Sequence, residues 1–509
     1  MSEQKPLITT RRSFLTRAAG VTLAAALPAE AQTSVVSNTG KSAAVRTRKR
    51  PLNVLFFMSD DMRPELASYG SRFHAHSPNI DALAAQGVRF DRNYCQFPLC
   101  NPSRSSLFTG HPPHTTHVLG NSTSVRDLHL GWVTLPQLFR ESGYTTLRSG
   151  KLFHAGLDDH KAWTDFDGDV ESMHPTQMGT PMNIPHARIA RPDGVLPVLP
   201  ADNERSAHSD QILVLEGNGE GAGDYMVADR AIANLRANRN NPFFIGCGFS
   251  KPHSPPTAPR RFFDMYDVSK IQLPPDFAAW PTVPPGFPKA AIRMRNADLF
   301  IGRGASESEA KKVIRAYLAS ISWADWNLGR VVAELDQLGL RDNTVIVFVA
   351  DHGYQLGEKG KWSKAGSLFE NGTRVPLIIH MPGAKGNGRS TTRIVQSLNI
   401  YRTVAELCGL QVPDGIEGSS MVPLLHDPRA AWERPAFSIW SEDGSTVHGA
   451  AVRTEQWRYA EFGEGASNGA MLFDVHADPM ELTNLADNAK YQQVRTHLSG
   501  LIANYNYPA

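Results

Sequence analysis

Four short apolar runs, separated by much longer stretches, constrain the fold of this chain more than any other feature of its sequence. They occupy residues 52–58, 242–249, 344–350 and 375–380. A strand that is apolar on both faces is typical of a sheet covered by helices on both sides, and long intervals between strands are typical of parallel connections. We therefore predict an α/β fold with a large, mostly parallel sheet flanked by helices.

Helical patterns occupy several of the intervals, and short strands return near the end of the chain. A capping-box sequence, Ser306-Glu-Ser-Glu309, begins a run of apolar residues at helical spacing that continues to Gly339. Shorter helices are predicted at 79–87, 224–239 and 400–408. Strand-like segments at 436–440, 449–453 and 457–461 precede a helical pattern at 494–502. We interpret residues 51–432 as the main domain and residues 433–509 as a smaller subdomain of antiparallel sheet plus helix.

The N-terminus has the organisation of an export signal. Arg11-Arg12 precedes an apolar run at 18–27, and small residues follow where a signal peptidase would cleave. This order is typical of a twin-arginine signal peptide, so we assign residues 1–31 to it and residues 32–50 to a flexible lead-in. No stretch is long and apolar enough to be a transmembrane segment. We expect the twin-arginine export machinery to deliver the protein to the periplasm or the exterior.

The charge and the cysteine content exclude several classes of protein. The chain carries 52 lysines and arginines against 50 aspartates and glutamates, a net charge of +2, which gives no support to nucleic-acid binding. Its four cysteines are too few for a disulfide framework, and none lies in a C-x-x-C pair. Cys247 lies in an apolar strand and Cys408 on the apolar stripe of a helix, so we interpret both as core residues.

Three of the four apolar runs end in charged residues. These are Asp60 and Asp61, Lys251 and His253, and Asp351 and His352. The carboxyl ends of parallel strands meet at one edge of a sheet, so these side chains are expected to converge. The carboxylates of Asp60, Asp61 and Asp351 are oxygen ligands suited to Ca²⁺ or Mg²⁺, whereas His352 is either an additional ligand or a contact to a bound anion.

Further segments add cationic residues and a cysteine. Lys151 and His154 follow a strand-and-glycine pattern, and Lys364 follows a glycine-rich loop. The segment Cys100-Asn-Pro-Ser-Arg104 is typical of a loop running into a helix whose first amides, with Arg104, face an anion. Taken alone, Cys100 is a nucleophile precursor, a buried thiol or half of a disulfide. Taken together, these residues predict a metal-assisted hydrolase of an anionic ester, with cations neutralising the substrate.

Two of these segments resemble signatures of the sulfatase family. Residues 100–104 with Thr109-Gly110 match the pattern C-x-P-S-R followed by T-G, and residues 143–154 match the second sulfatase signature. The likeness extends over nearly all of residues 51–509 and implies the alkaline-phosphatase-like fold of that family. Within the family it is greatest to the iduronate-2-sulfatase group, through residues 150–154, 248–255, 351–364 and 472–479.

The resemblance implies a chemistry for Cys100. A formylglycine-generating maturation enzyme would oxidise the thiol to an aldehyde, which hydrates to a diol. One hydroxyl would attack sulfur, which would release the sugar alcohol and leave a sulfated enzyme. The second hydroxyl, on losing its proton, would then expel sulfate as the aldehyde reforms. A divalent metal, Ca²⁺ with Mg²⁺ as the alternative, would lower the pKa of the diol. The implied metal ligands are Asp60, Asp61, Asp351, His352 and the modified Cys100.

The resemblance also implies roles for the cationic residues. Arg104 and Lys151 would orient the diol, and His154 would be the base that drives the elimination. His253 and Lys364 would bind the sulfate and assist the leaving oxygen. The implied substrate is a sulfated oligosaccharide, and a 2-O-sulfated uronic acid is favoured. Sugar selectivity is expected in the segments that resemble the group least, residues 155–241 and 275–305.

The residues alone leave three alternatives open. Phosphonate and phosphate-ester hydrolases share the superfamily fold, so they are the rival reaction class. An unmatured Cys100 would leave a protein that only binds sulfated glycans. Cys95 lies five residues from Cys100, and we interpret it as a buried thiol, with a disulfide between the two as the alternative.

Overall fold

The computed structural model describes residues 51–71, 73–164, 180–181, 189–190 and 211–505. The predicted signal peptide, the lead-in and much of the segment 155–241 lie outside these residues. Within the described ranges, no helix combines the length and the apolar character needed to cross a bilayer.

Strands and helices alternate along most of the described chain. The strands are β1 (Asn53–Asp60), β2 (Val88–Tyr94), β3 (Thr145–Gly150), β4 (Thr180–Pro181), β5 (Leu213–Leu215), β6 (Phe243–Pro252), β7 (Thr257–Pro259), β8 (Thr344–Ala350), β9 (Arg374–His380), β10 (Arg389–Gln396), β11 (Ala436–Trp440), β12 (Gly449–Arg453), β13 (Trp457–Phe462) and β14 (Ala470–Asp474). The α-helices span Pro78–Gln86, Cys100–Thr109, Pro113–Thr116, Val125–Leu128, Leu135–Glu141, Gly223–Asn238, Arg260–Phe263, Glu307–Gln337, Glu370–Thr373, Asn399–Leu407, Val422–His426 and Gln492–Asn504. The four predicted apolar strands are confirmed as β1, β6, β8 and β9.

The central sheet places β1 in its middle. In the described part of the chain it contains seven strands in the order β10-β2-β9-β8-β1-β6-β3. β1 pairs in parallel with both β6 and β8, and β6 pairs in parallel with β3. β9 is antiparallel to β8 and to β2. The sheet is therefore mostly parallel around β1, as predicted, and the carboxyl ends of β1, β6 and β8 meet at one edge.

Both faces of β1 are covered, which explains why its sequence is apolar without alternation. Leu55 and Phe57 pack in the core cluster that contains the long helix Glu307–Gln337. Phe56 packs in the cluster on the other face, with side chains of the helix Cys100–Thr109. The central strand is therefore held from both sides, and this fixes the position of the residues at its end.

A second sheet near the end of the chain is antiparallel. Its strands pair in the order β11-β12-β13-β14, and Leu498 and Ile502 of the helix Gln492–Asn504 share their core cluster. This confirms the small antiparallel sheet with a closing helix. The boundary between residues 432 and 433 stays a prediction.

Strand β11 contacts the segment that precedes Cys100. The Ile439 N–H donates to the Gln96 carbonyl at 2.9 Å, and Ser438 Oγ donates to the Cys95 carbonyl at 2.6 Å. The rings of Trp440 and Phe97 lie 5.4 Å apart. The second sheet therefore supports the loop that leads into the Cys100 helix.

All four cysteines are free. Cys95 and Cys100 are both buried thiols, which confirms the thiol interpretation of Cys95 and not the disulfide. Cys247 is buried in β6, as predicted. Cys408 is only half-buried, because it follows the last residue of the helix Asn399–Leu407 and caps its carboxyl end.

The sequence pattern did not reveal three parts of the fold. These are the edge strand β10, the strand β14 and the three-stranded sheet of β4, β5 and β7. β10 has the sequence RSTTRIVQ and leaves several side chains exposed, so it lacks the apolar run that marks a strand buried on both faces.

The capping box of the long helix is expected to contribute to the free energy of unfolding. Ser306 Oγ accepts the Glu309 N–H at 3.3 Å, and the Glu309 carboxylate accepts the Ser306 N–H at 3.0 Å. Ser306→Ala is expected to lower the free energy of unfolding by about 0.5–2 kcal/mol, because it removes this N-cap. Chemical denaturation measures the change. The control is Ser308→Ala, at an exposed position of the same first turn, and an equal loss there would contradict the prediction.

Candidate active site at the strand ends

The charged residues predicted at the ends of β1 and β8 meet in one buried cluster. Asp60 is the last residue of β1, and Asp351 and His352 follow β8 directly. All three are fully buried. Ser59 lies opposite Ala350 in the parallel ladder, so Asp60 and Asp351 leave adjacent strands at the same level.

Asp60, Asp61, Cys100 and His352 form the centre of this cluster. Each offers one ligand atom, and these atoms lie within 4.8 Å of one another. Cys100 Sγ lies 3.4 Å from Asp60 Oδ1 and 3.2 Å from His352 Nε2. Asp61 Oδ1 is buried and accepts no hydrogen bond from the described residues, although His352 Nδ1 lies 3.3 Å away. Burial raises the pKa of Asp61 well above its usual value. These residues fit a divalent cation, whose charge would stabilise the two neighbouring carboxylates.

Asp351 lies beside these four residues, but its carboxylate is already bonded. Oδ1 accepts the backbone N–H groups of Asp61 at 3.2 Å and of His352 at 2.9 Å. Oδ2 accepts Arg104 Nε at 2.8 Å. In this arrangement Asp351 holds its neighbours in place. Its role as a metal ligand stays a prediction.

Arg104 is a fully buried cation that joins the two strand ends. The helix that carries it begins at Cys100, so the two side chains lie one turn apart on one face. Its hydrogen bonds reach Asp351 Oδ2 at 2.8 Å, Asp60 Oδ2 at 3.1 Å, and the carbonyls of Lys151 and Leu152 at 2.7 and 2.9 Å. Only the planar fork of a guanidinium presents donors in so many directions at once.

Two lysines complete the positive side of the cluster. Lys151 Nζ donates to Asp60 Oδ2. Lys364 Nζ donates to Asp61 Oδ2 at 3.1 Å and lies 3.2 Å from Asp298 Oδ1. Burial by itself lowers the pKa of Lys364, but the carboxylates of Asp298 and Asp61 raise it well above its usual value. Lys364 therefore remains charged when it faces an anion.

The two predicted histidines lie next to the lysines and are uncharged. His154 Nδ1 is buried and has no hydrogen-bond partner in the part of the chain that the structure describes. Burial, and then the charge of Lys151, lower the pKa of His154 to about 3. His253 Nδ1 donates to the Ser254 carbonyl at 2.6 Å, which leaves Nε2 free of a proton at 3.9 Å from Asp61 Oδ2. Burial also lowers the pKa of His253, so both side chains are proton acceptors at neutral pH.

Lys251 does not join the cluster, although the sequence pairs it with His253. Its ammonium group is buried and donates to the carbonyls of His253 and Pro255, each at 2.9 Å. The Asp224 carboxylate accepts the backbone N–H groups of Ser250 and Lys251 at 2.8 and 3.0 Å. Lys251 therefore holds the loop that carries His253, and it is not an anion ligand.

Two residues of the site carried no signal that sequence reasoning detected. Asp298, which binds Lys364, lies in the irregular segment 275–305, where selectivity was predicted without naming a residue. Tyr317 bonds the backbone carbonyl of Asp61, but in the sequence it is one member of the apolar stripe of a long helix. The hydroxyl of Tyr317 inside this apolar stripe could have indicated a buried hydrogen bond, but not its partner.

Comparison with known proteins now assigns the chain to a family. The sulfatase family profile matches residues 52–410. The chain belongs to the sulfatase family. A second profile, the C-terminal part of N-sulphoglucosamine sulphohydrolase, matches residues 357–506. Sulfatases hydrolyse sulfate esters, and they generally use a metal and a formylglycine.

Individual relatives of this sulfatase agree with the assignment. Human iduronate 2-sulfatase is 33% identical over 402 residues, which cover 71% of this chain and 70% of the human protein. A sulfatase from Formosa agariphila is 29% identical over 467 residues, 89% of this chain and 87% of that protein. The phosphonate monoester hydrolase SpPMH from Silicibacter pomeroyi has the same fold, with a TM-score of 0.68 at 22% identity over 89% of this chain and 95% of that one.

Arg104 generates a prediction about this site. Arg104→Lys is expected to lower kcat/KM for a sulfate monoester by at least about 100-fold, because an ammonium group cannot bind both carboxylates and the neighbouring carbonyls, and small displacements of catalytic groups have effects of this size. Steady-state kinetics measure it.

The control for this prediction is Arg126→Lys. Arg126 also binds a buried carboxylate, Asp159, through two nitrogen atoms at 3.0 and 2.7 Å, but it lies outside the cluster. This variant is expected to keep its activity. Equal losses in both variants would show that general destabilisation, and not the position of Arg104, is responsible.

Proposed function

We propose that this sulfatase hydrolyses the sulfate ester of a sulfated carbohydrate, with a 2-O-sulfated uronic acid as the favoured substrate and Cys100 as the precursor of a formylglycine. The observation that carries the proposal is the place of Cys100 Sγ, 3.2 Å from His352 Nε2 and 3.4 Å from Asp60 Oδ1 at the first residue of a helix. A nucleophile at this position faces the carboxylates that fit a cation and the cations that neutralise a sulfate.

The proposed cation is Ca²⁺, with Mg²⁺ as the alternative. When bound, it supplies a positive charge that lowers the pKa of a nearby hydroxyl and polarises a sulfate oxygen. It would be held by Asp60, Asp61, Asp351, His352 and the modified Cys100. A thiol is a soft ligand and carboxylates are hard ones, so replacing the Cys100 sulfur by oxygen makes the set more uniform and more suited to Ca²⁺.

The proposed nucleophile requires a maturation enzyme that oxidises the Cys100 thiol to an aldehyde. One hydroxyl of the hydrated aldehyde attacks sulfur, the S–O bond to the sugar breaks, and the sugar leaves as an alcohol from a sulfated enzyme. The second hydroxyl, once deprotonated, expels sulfate as the aldehyde reforms. Arg104 and Lys151 both bind the Asp60 carboxylate beside Cys100. They are therefore placed to orient this group and to neutralise the ester.

We assign the proton-transfer steps to the histidines. His154 is neutral, so it can accept the proton that drives elimination. Its pKa of about 3 reflects burial and the charge of Lys151, and a bound sulfate would offset that charge and raise the pKa of His154. His253 and Lys364 both approach Asp61, and we assign them to the sulfate and to the leaving oxygen.

The sugar assignment is supported by relatives and by sequence. The human protein at 33% identity is an iduronate 2-sulfatase, and residues 351–364 resemble that group over the loop that delivers Lys364. Twin-arginine export from residues 1–31 is part of the same proposal, because it would place the enzyme in the periplasm or outside the cell, where sulfated polysaccharides occur.

A second candidate function is hydrolysis of a phosphonate or phosphate ester. The observation that favours it is the fold shared with the phosphonate monoester hydrolase from Silicibacter pomeroyi. Both kinds of ester place a tetrahedral anion among cations, so the substrate test has to include both. A protein that only binds sulfated glycans, through an unmatured Cys100, is the non-catalytic rival.

Sulfate release by the exported, native protein separates these functions. We expect release from a disaccharide with a 2-O-sulfated uronic acid, and faster hydrolysis of a sulfate monoester than of phosphate or phosphonate esters. Cys100→Ala is expected to abolish release and to keep the midpoint of thermal unfolding, because it removes only the nucleophile precursor. Cys95→Ala, at the other buried thiol of this loop, is the control and is expected to retain activity.

Two outcomes would contradict the proposal. Turnover dominated by the phosphorus esters would make the reaction class wrong. An intact thiol at residue 100 of the native protein, detected by mass spectrometry, together with glycan binding but no turnover, would indicate the binding protein.

Removal of divalent cations tests the metal separately. Exhaustive chelation is expected to abolish activity, because Asp60 and Asp61 would lose the charge that stabilises them and the substrate. Activity should return on addition of Ca²⁺ or Mg²⁺, and comparing the two ions identifies the better one. Sulfate release that survives chelation, with metal content checked by elemental analysis, would count against the proposed metal centre.

A further inference from the structure

The turn after β1 has an unusual backbone conformation at Asp61. Its φ is +62°, in the left-handed region that residues other than glycine occupy rarely. Asp61 is also buried. A conformation of this kind persists only where surrounding contacts hold it. The contacts of this turn therefore identify the groups that fix the direction of the Asp61 carboxylate.

The Tyr317 hydroxyl bonds both sides of this turn. It donates to the Asp61 carbonyl at 2.6 Å and accepts the Arg63 N–H at 2.9 Å. Tyr317 is buried on the long helix, and its ring stacks on Tyr354 with centroids 6.0 Å apart. One hydroxyl therefore satisfies two buried backbone groups that lie beyond the strand.

Arg63 connects the same turn to the loop that delivers Lys364. Its Nη1 donates to Glu358 Oε1 at 2.7 Å, and both side chains are buried. Six residues after Glu358, Lys364 donates to Asp61 Oδ2. Asp61 is thus held through its backbone by Tyr317 and through its carboxylate by Lys364, and the Arg63–Glu358 ion pair ties these two supports together.

We propose that Tyr317 is a positioning residue for the metal centre. Its hydroxyl, supported by the Arg63–Glu358 pair, keeps the Asp61 carboxylate directed towards Asp60 and Cys100. The inference rests on the proposed function, because it assumes a divalent cation among these residues. The hydroxyl bonds only backbone atoms of the turn among the described residues, so Tyr317 acts on the cation through Asp61.

The variant Tyr317→Phe tests this role, because it removes one oxygen and keeps the stacked ring. The affinity of the full-length, metal-stripped protein for Ca²⁺, measured by isothermal titration calorimetry, is expected to fall about tenfold, because the turn loses both hydrogen bonds to the hydroxyl and part of their free energy is felt at the cation. Sulfate release is expected to be reduced at low Ca²⁺ and restored at saturating Ca²⁺. Because bound Ca²⁺ also stabilises the folded state by mass action, the loss of Ca²⁺ affinity relative to the control variant is what distinguishes positioning from a merely structural role.

Tyr266→Phe is the matched control. The Tyr266 hydroxyl is also buried against the long helix, 2.5 Å from Ser322 Oγ, and it accepts the His76 N–H at 2.7 Å. This variant is expected to lose thermal stability to a similar extent and to keep its Ca²⁺ affinity. Glu358→Gln, which removes one of the two carboxylates that pair with Arg63 and leaves Glu65 at 2.6 Å, acts on the other support and is expected to weaken Ca²⁺ binding by less than tenfold.

The outcomes separate this inference from the proposed function. Ca²⁺ affinity of Tyr317→Phe within about twofold of the wild type, or an equal loss in Tyr266→Phe, would overturn the role of Tyr317 and leave the metal centre standing. A wild-type protein that binds neither Ca²⁺ nor Mg²⁺ would overturn the metal of the proposed function, and this inference with it.

Discussion

Three carboxylates are buried together at the ends of β1 and β8, and the rest of the site has to neutralise their negative charge. Like charges repel strongly where water is excluded, and each buried charge needs a partner. The structure supplies Arg104, Lys151 and Lys364, and each of them contacts at least one of these carboxylates. Among the described residues, the carboxylate oxygen of these three that has no hydrogen-bond donor is Asp61 Oδ1, and the proposed cation would neutralise the remaining negative charge there.

The charges come from distant parts of the chain, so the sheet has to be complete before the site exists. Lys364 and Asp61 are 303 positions apart, and Arg104 and Asp351 are 247 apart. The parallel strands bring these segments to one edge, whereas the loops decide what the edge binds. This division explains how a sulfatase and a phosphonate monoester hydrolase share one fold.

The apolar strands and the capping box could be predicted because each depends on local sequence. β1, β6 and β8 are buried on both faces, which leaves a continuous apolar run, but the polar edge strand β10 has none. The site was predictable where its residues are of types that rarely end a buried strand, such as Asp60 and Asp351. Lys251 ends an apolar strand and Lys364 follows a glycine-rich loop, but neither pattern reveals the partner of its lysine. Only the folded chain decides that Lys251 binds carbonyls and that Lys364 binds the carboxylates of Asp61 and Asp298. The role of Tyr317 depends on two long-range hydrogen bonds, which no local pattern shows.

The contact between β11 and the segment before Cys100 has a consequence for the order of events during synthesis. Gln96 and Cys95 receive their partners Ile439 and Ser438 only after more than three hundred further residues have been made. Until then the loop leading to Cys100 lacks these hydrogen bonds, although in the finished protein the thiol is 1% exposed. An enzyme that modifies this thiol would therefore find it accessible in the growing or incompletely folded chain, until the second sheet, which is synthesised last, contacts the loop.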